Sequence, residues 1–385
     1  MEIVFSSIFL THHQVPVSDA LWELTGGNYR FIADQPLPEE FVRRGYPDYS
    51  DRPYVVEAFR SDAARAEVLE MARKADVLIS GGVSTAYERA RLAAGDRLTF
   101  EYRERWLKRG AVNLLSRRLL ESQWLYHTRF RRKPLYMLCA GAYVANDLYR
   151  FGSFRDRCYK WGYFTETGGA GDGAAGEAGR CAGPARLLWC ARFIGWKHPE
   201  MVPRLAARLR ERGFTDFRIE MVGDGPLRSA VASQIEQLGV GDCVTLSGNL
   251  PNAEVLSRMQ ESDIFLLTSD RNEGWGAVLG EAMGCGCAVV SSDLVGAAPF
   301  LVKDGENGRL FRSEDLDSLT EKVAALLTDA GGRARLGAAA AATMAGPWSP
   351  QAAAGRLVSL CEGLLSGRDP GFADGPCSKA VPFHY

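Results

Sequence analysis

The sequence predicts an α/β protein made of two doubly wound domains, and three observations carry that expectation. Short apolar runs, which read as buried parallel strands, alternate with segments of helical spacing along the chain. A glycine-rich, low-complexity stretch at residues 167–183 interrupts the alternation once, and a second series begins at Leu187. The length of 385 residues suits two domains that each bury a core. The expected divisions are an N-terminal domain at 1–165, a linker at 166–184, a second domain at 185–347, and a final helix with its tail at 348–385. Such sheets bind ligands at their carboxyl edges, so the two domains are expected to face each other across a cleft.

In the first half the expected strands are residues 3–9, 29–33, 77–80 and 135–139. In the second they are 187–190, 217–222, 244–247, 264–268, 288–291 and 308–311. Helices are expected from about residues 314 and 331. Ser349 as a cap and Pro350 in the first turn mark the start of a last helix. The tail from 370 to 385 has little periodicity.

Lys and Arg number 46 against 47 Asp and Glu, a net charge of −1 that gives no reason to expect nucleic acid. No apolar run approaches the ~20 residues needed to span a bilayer. Met1-Glu2-Ile3-Val4-Phe5 reads as a strand without a basic leader, so a signal peptide is not expected. The nine cysteines are scattered without a Cys-x-x-Cys pair, which suggests neither zinc nor a disulfide framework. Cys139 and Cys190 fall in expected strands, and Cys285 and Cys287 read as small apolar fillers beside a turn. A reduced, cytoplasmic compartment is the expectation.

The segment richest in chemistry runs Ser269-Asp270-Arg271-Asn272-Glu273-Gly274-Trp275-Gly276-Ala277-Val278-Leu279-Gly280-Glu281. It joins a buried strand to a helix, with Glu273 in the loop and Glu281 inside the helix. Gly274 and Gly276 leave the backbone bare at the helix start, where free amides and a partial positive charge suit a phosphate. Carboxylates beside them suit a polyhydroxylated group. A nucleotide sugar is both at once. Arg192 and Lys197 follow the strand at 187–190 and project from its carboxyl end, where fixed cations can compensate a departing diphosphate without a metal. The Asp-x-Asp of Asp315-Leu316-Asp317 lies at an expected helix start and reads as capping. No metal or other cofactor is expected.

The Glu-x7-Glu spacing, Glu-Gly-Trp-Gly at its head and Glu-Ala-Met-x-x-Gly at its tail resemble the retaining nucleotide-sugar glycosyltransferases of family 4, which have the GT-B fold. Lys303-Asp304-Gly305-Glu306-Asn307-Gly308 looks like that family's next loop. The resemblance implies two Rossmann-like domains and a C-terminal helix that crosses back to the first. It implies that Arg192 and Lys197 clamp the donor diphosphate, that Glu273 faces the transferred sugar, and that Glu281 bonds the ribose hydroxyls. The amides of Gly274, Trp275, Gly276 and Ala277 would hold sugar and phosphate oxygens. Gly223, in Gly223-Asp224-Gly225-Pro226, resembles a family turn near the nucleotide, and the backbone of Asn249 and Leu250 would meet the base.

Many relatives carry a His near a strand end of the first domain. The corresponding Ile79-Ser80-Gly81-Gly82-Val83-Ser84 has none. His13, in His12-His13-Gln14, resembles the His-Gln of bacterial surface-polysaccharide transferases, as does Trp161-Gly162-Tyr163-Phe164. It is the candidate acceptor-side or sugar-contacting group, and a packing histidine is the competing reading. Residues 103–133 carry ten Lys or Arg against two Glu, interleaved with Trp106, Trp124 and leucines. A basic helix with aromatic anchors suits an anionic membrane surface, peripheral at its inner face, and an amphipathic helix packed on the sheet is the alternative. The leading expectation is a glycosyltransferase acting on a glycan or lipid-linked acceptor. A sugar-nucleotide epimerase, a glycoside phosphorylase and a non-catalytic sugar-nucleotide binder are the alternatives.

Overall fold

The computed structural model describes residues 1–39, 41, 47–81, 85–108, 110–165 and 183–383. The expected linker lies outside the described residues up to position 182, as do Gly82, Val83 and Ser84. The chain divides into two compact units, Met1–Glu166 with Pro347–Tyr385, and Thr167–Gly346.

Among the described residues the first unit holds a seven-stranded sheet in the order β3-β2-β1-β4-β5-β6-β7. Its strands are β1 (Ile3–Ser7), β2 (Tyr29–Ala33), β3 (Val55–Glu57), β4 (Val77–Ser80), β5 (Thr99–Arg103), β6 (Leu135–Ala140) and β7 (Cys158–Trp161). Every neighbouring pair is parallel. The four expected strands are present, the first ending at Ser7. The sequence reading missed β3, β5 and β7. The first is only three residues long. Charges disguise the other two. Glu101 in β5 is fully buried because Arg103 Nε donates to it at 2.6 Å and the Tyr126 hydroxyl bonds it as well.

The last helix, Pro350–Leu365, starts where expected. The Ser349 hydroxyl accepts from Ala352 N at 3.2 Å, and Pro350 fills the first turn. Ala353, Ala354, Leu357, Leu360 and Cys361 make its buried stripe, and it packs against Val15–Leu24 of the first unit. The tail has a structural job that its lack of periodicity concealed. Lys160 N donates to Ser378 O at 2.8 Å and Ala380 N to Cys158 O at 3.0 Å, so the tail pairs antiparallel along β7 and covers the sheet edge.

Among the described residues of the second unit, six parallel strands run in the order β10-β9-β8-β11-β12-β13. They are β8 (Ala185–Cys190), β9 (Phe217–Val222), β10 (Val244–Gly248), β11 (Ile264–Leu267), β12 (Ala288–Ser292) and β13 (Arg309–Phe311). Leu187, Trp189, Ile219, Met221, Leu266 and Val290 form the core with Leu205, Leu209, Leu319 and Val323 of the covering helices. In each sheet the strand order reverses beside its first strand, between β1 and β4 and between β8 and β11. Ligands of such sheets bind in the crevice past the strand ends at that reversal. In the second unit the loops leaving β8 and β11 carry Arg192, Lys197 and Glu273.

Candidate donor site

The loop after β8 is tied down from beneath. Trp189 Nε1 donates to Thr268 Oγ1 at 2.8 Å, and that hydroxyl donates to Lys197 O at 2.6 Å. The 3-10 turn Gly195–Lys197 closes the loop and aims Lys197 at β11. Its Nζ donates to Glu273 Oε2, and both side chains are largely buried. Arg192 stands apart from this pair. It is exposed, with its guanidinium carbon 5.7 Å from the centre of the Trp196 ring.

The loop after β11 is built from backbone contacts. Asp270 N donates to Trp196 O at 2.9 Å, Asn272 N to Asp270 Oδ1 at 2.7 Å and Glu273 N to Asp270 O at 3.0 Å. Gly276 caps the helix Ala277–Gly284 at φ +88°, a left-handed conformation that glycine adopts without strain. Gly296, from the loop after β12, lies against this segment so closely that a Cβ there would sit 1.7 Å from Gly274 O. Ala297 N donates to Trp275 O at 2.9 Å, and Trp275 is buried. The result is a clamped loop whose exit is a helix N-terminus.

Glu281 sits in the second turn of that helix and is 8% exposed. Burial pushes its carboxyl up to about 7. The Cys190 thiol at the end of β8 is pushed up to about 12, chiefly by burial and then by the Glu281 charge. Glu281 therefore lies near the Lys197 loop as well as in the helix.

Gly223 and Gly225 are explained by close approach. A Cβ on Gly223 would meet Ala191 O at 2.0 Å, and one on Gly225 would meet Phe193 O at 2.6 Å. The turn packs backbone to backbone on the Arg192 loop. Beyond β10, Asn249 is exposed and Leu250 half-buried. Asp315 accepts from Ser318 N at 2.9 Å and so caps the helix Leu316–Thr328.

Three contributors escaped the sequence reading. Gly296 was one, although a glycine past a buried strand is a usable signal. The others are His198 and Asp270, whose Nε2 and Oδ2 lie 3.4 Å apart.

In the first unit His13 precedes the helix Val15–Leu24, past the end of β1. Its ring stacks on Tyr163 at 5.7 Å between centres, and Tyr163 OH donates to Glu104 at 2.9 Å. Burial, then the neighbouring His12, pushes the His13 imidazole down to about 3, so it is neutral at ordinary pH.

The basic stretch is not one helix. It comprises the 3-10 turn Gly110–Leu115, the helix Arg117–Gln123 and the wider turn Trp124–Arg129. Arg103 and Arg105 do not belong to the basic surface expected of this stretch. The first pairs with Glu101, and Arg105 Nη2 reaches Asp147 at 3.0 Å, both inside the unit. Trp106, Leu125, Tyr126 and Phe130 are buried. Val112, Leu115, Leu120 and Trp124 are exposed beside Arg117, Arg118 and Arg129.

Two doubly wound parallel sheets, with a C-terminal helix returned to the first unit, define the GT-B class. Residues 179–343, within the second unit, match the family model for glycosyl transferases group 1. The GDP-mannose-dependent alpha-(1-6)-phosphatidylinositol monomannoside mannosyltransferase of Mycolicibacterium smegmatis is 29% identical over 188 residues, 47% of this chain and 49% of that protein. The putative colanic acid biosynthesis glycosyltransferase WcaL of Escherichia coli is 32% identical over 149 residues, 37% of this chain and 36% of that one. The chain thus spans about half or less of the length of these curated relatives. Among solved structures, HepE of Anabaena in complex with UDP and glucose is similar with a TM-score of 0.66 at 16% identity, over 95% of this chain and 100% of that one. A glycosyltransferase from Rickettsia africae gives 0.68 at 13% identity, over 94% and 98%. At these identities the structural likeness concerns the fold.

Proposed function

We propose that the protein is a glycosyltransferase that moves a sugar from a nucleoside-diphosphate sugar to an acceptor hydroxyl, with retention and without a metal in the transfer step. The observation that carries this reading is the Lys197–Glu273 pair at the strand-order reversal of the second sheet, beside a helix N-terminus. As the sugar–phosphate bond breaks, negative charge grows on the leaving diphosphate. Lys197 and Arg192 receive it, together with the amides from Gly274 to Ala277. Glu273, released from Lys197 by the incoming phosphate, faces the sugar. Glu281 accepts from the ribose hydroxyls, Gly223 lies by the nucleotide, and the backbone at Asn249 and Leu250 lines the base. His13 in the first unit is the acceptor-side group.

The acceptor is a glycan or lipid-linked glycan of a surface polysaccharide, in keeping with the names of the similar proteins. The protein works in the cytoplasm, peripheral at the inner face of the membrane. Among the described residues no helix is long and apolar enough to cross a bilayer. The exposed Leu115, Leu120 and Trp124, with Arg117, Arg118 and Arg129 exposed in the same stretch, support attachment to an anionic lipid surface.

The test is thermal shift against UDP-, GDP- and ADP-sugars with and without EDTA, followed by turnover with acceptor. A shift from one nucleotide class that persists in EDTA and weakens in Arg192→Ala is expected. Nucleoside diphosphate released only when acceptor is present separates transfer from epimerisation. Absence of any shift would overturn the donor assignment.

A further inference from the structure

We propose that a hollow in the first unit, between the wide turn Trp124–Arg129 and the loop ahead of β7, binds a phosphate monoester. The hollow measures about 250 Å³. Arg131, Arg155 and Arg157 line it, and among the described residues no aspartate or glutamate does. Tyr126, Phe130 and Phe154 supply an apolar wall. Leu135, which also lines it, opens β6, and Arg157 stands just ahead of β7. The hollow therefore lies at the amino edge of the sheet, whereas His13 follows β1 at the carboxyl edge.

The walls are held in place by contacts of their own. Gln123 Nε2 donates to Phe151 O at 3.2 Å and to Ser153 Oγ at 2.8 Å, which fastens the end of the helix Arg117–Gln123 to the loop. Phe130 N donates to Leu125 O at 2.9 Å, a five-residue span that widens the turn. Phe154 takes up left-handed backbone at φ +52°, and its ring meets Tyr126 edge-on at 5.6 Å between centres. A Cβ on Gly152 would stand 3.4 Å from His127 Cε1, so the loop and the turn come together there.

The charges of the hollow are unbalanced. Arg157 is fixed, since its Nη1 donates to Lys133 O at 2.7 Å and its guanidinium lies over the Tyr136 ring. Arg131 and Arg155 are exposed and have neither a hydrogen bond nor an ion pair among the described residues. The chain as a whole is close to neutral, with 46 basic and 47 acidic side chains, so three guanidiniums without a carboxylate are a local excess. The two charges of a phosphate monoester meet that excess better than the single charge of a carboxylate, and guanidinium forks match its oxygens in pairs. The same chemistry comes from the headgroup of an anionic lipid or from a soluble ester. The aromatic wall, with Trp124 exposed on the same turn, favours the lipid. The phosphate site does not rest on the donor assignment, and only its lipid source rests on the membrane reading.

The experiment is calorimetric titration of the full chain with soluble dihexanoyl phosphatidic acid and with glycerol 3-phosphate, which share a headgroup and differ in the acyl chains. One saturable equivalent of the lipid is expected, with glycerol phosphate binding more weakly. Arg131→Gln and Arg155→Gln remove exposed side chains without partners, so the fold should stand while either probe binds about tenfold more weakly. Arg132→Gln, next in the chain but outside the hollow, should change binding by less than about twofold. Phosphate held at the donor site instead would bind unchanged in the Arg131 and Arg155 variants, and that result overturns the pocket. Equal loss in Arg132→Gln overturns it too, since general attraction to surface charge would then suffice, as does absence of saturable binding by both probes. Glycerol phosphate bound as tightly as the lipid would overturn the lipid source and keep the phosphate site. Leu115→Ser with Trp124→Ser should still bind the short-chain lipid, so failure of the membrane reading and failure of the pocket are told apart.

Discussion

Lys197 and Glu273, 76 residues apart in the chain, form an ion pair in which only 13% and 16% of the two side chains are exposed. Breaking such a pair from one side leaves an uncompensated charge in a dry place. Lys197→Ala should therefore lower the melting temperature as well as activity. If Lys197 serves the departing diphosphate, its loss falls on kcat more than on KM, by about 10²–10³-fold. Glu273→Gln keeps the shape and removes the charge, and should lose kcat with a smaller loss of stability. Steady-state kinetics and melting curves of the two variants check this. Unchanged kcat/KM in both would remove the pair from the site.

Glu281 should give the donor step its pH dependence. Burial pushes its carboxyl up to about 7, and in the proposed role the ionised form would accept from the ribose hydroxyls. Donor affinity should rise between pH 6 and pH 8, and Glu281→Gln should flatten that rise. Stability runs the other way. A carboxyl raised from 4.5 to about 7 holds a proton that the unfolded chain releases, so its contribution is complete below 4.5 and lost as pH climbs through 7. The empty Glu281→Gln protein should accordingly gain more in melting temperature at pH 8 than at pH 5. Donor titrations and melts across that range decide the matter. A flat wild-type donor profile would contradict the assigned role.

Gly296 should prove indispensable despite lying outside the motif. A Cβ there would stand 1.7 Å from Gly274 O, and backbone on both sides leaves nothing flexible to yield. Gly296→Ala should lose about 1–3 kcal/mol of stability and displace the Glu273 loop, weakening donor binding. Gly195→Ala is the control, because a Cβ at that position meets nothing within 4 Å. Denaturant unfolding of the pair, with donor titration, separates them. Equal stability would show that the Gly296 contact is relaxed in solution.

The alternation of buried strands with helices was legible because parallel strands covered on both faces are largely apolar, as β11 is throughout. The placement of Glu273, Gly274, Gly276 and Glu281 on one strand-to-helix turn was legible because they lie close together in the chain, where local chemistry decides the geometry. The strand β5 was hidden. Its Glu101 and Arg103 read as surface charges until they are seen to neutralise each other inside the fold, with Tyr126 added from 25 residues on. His198 and Asp270 were hidden for a related reason, since 72 residues separate them and neither is unusual alone. The covering of β7 by the tail combines backbone bonds, which leave no side-chain pattern to read, with the pairs Tyr159–Asp369 and Lys160–Asp374, whose partners lie more than 200 residues apart.

The exposed patch of the first unit should bind anionic lipid through a few residues only. Leu115 is 85% exposed and Trp124 50%, while Arg103 and Arg105 are paired inside and contribute nothing at the surface. Leu115→Ser with Trp124→Ser should abolish sedimentation with vesicles rich in phosphatidylserine and leave the fold intact, because these side chains pack little in the free protein. Arg117→Glu should weaken binding more than fivefold, since loss of one basic group near such a surface removes about 1 kcal/mol and reversal adds repulsion. Arg105→Ala should instead destabilise the protein, because it strips Asp147 of its buried partner. Binding should fall as salt rises from 50 to 300 mM, because the Debye length shrinks from about 14 Å to about 6 Å. Wild-type protein that stays in the supernatant at low salt would overturn the membrane assignment and leave the donor site untouched.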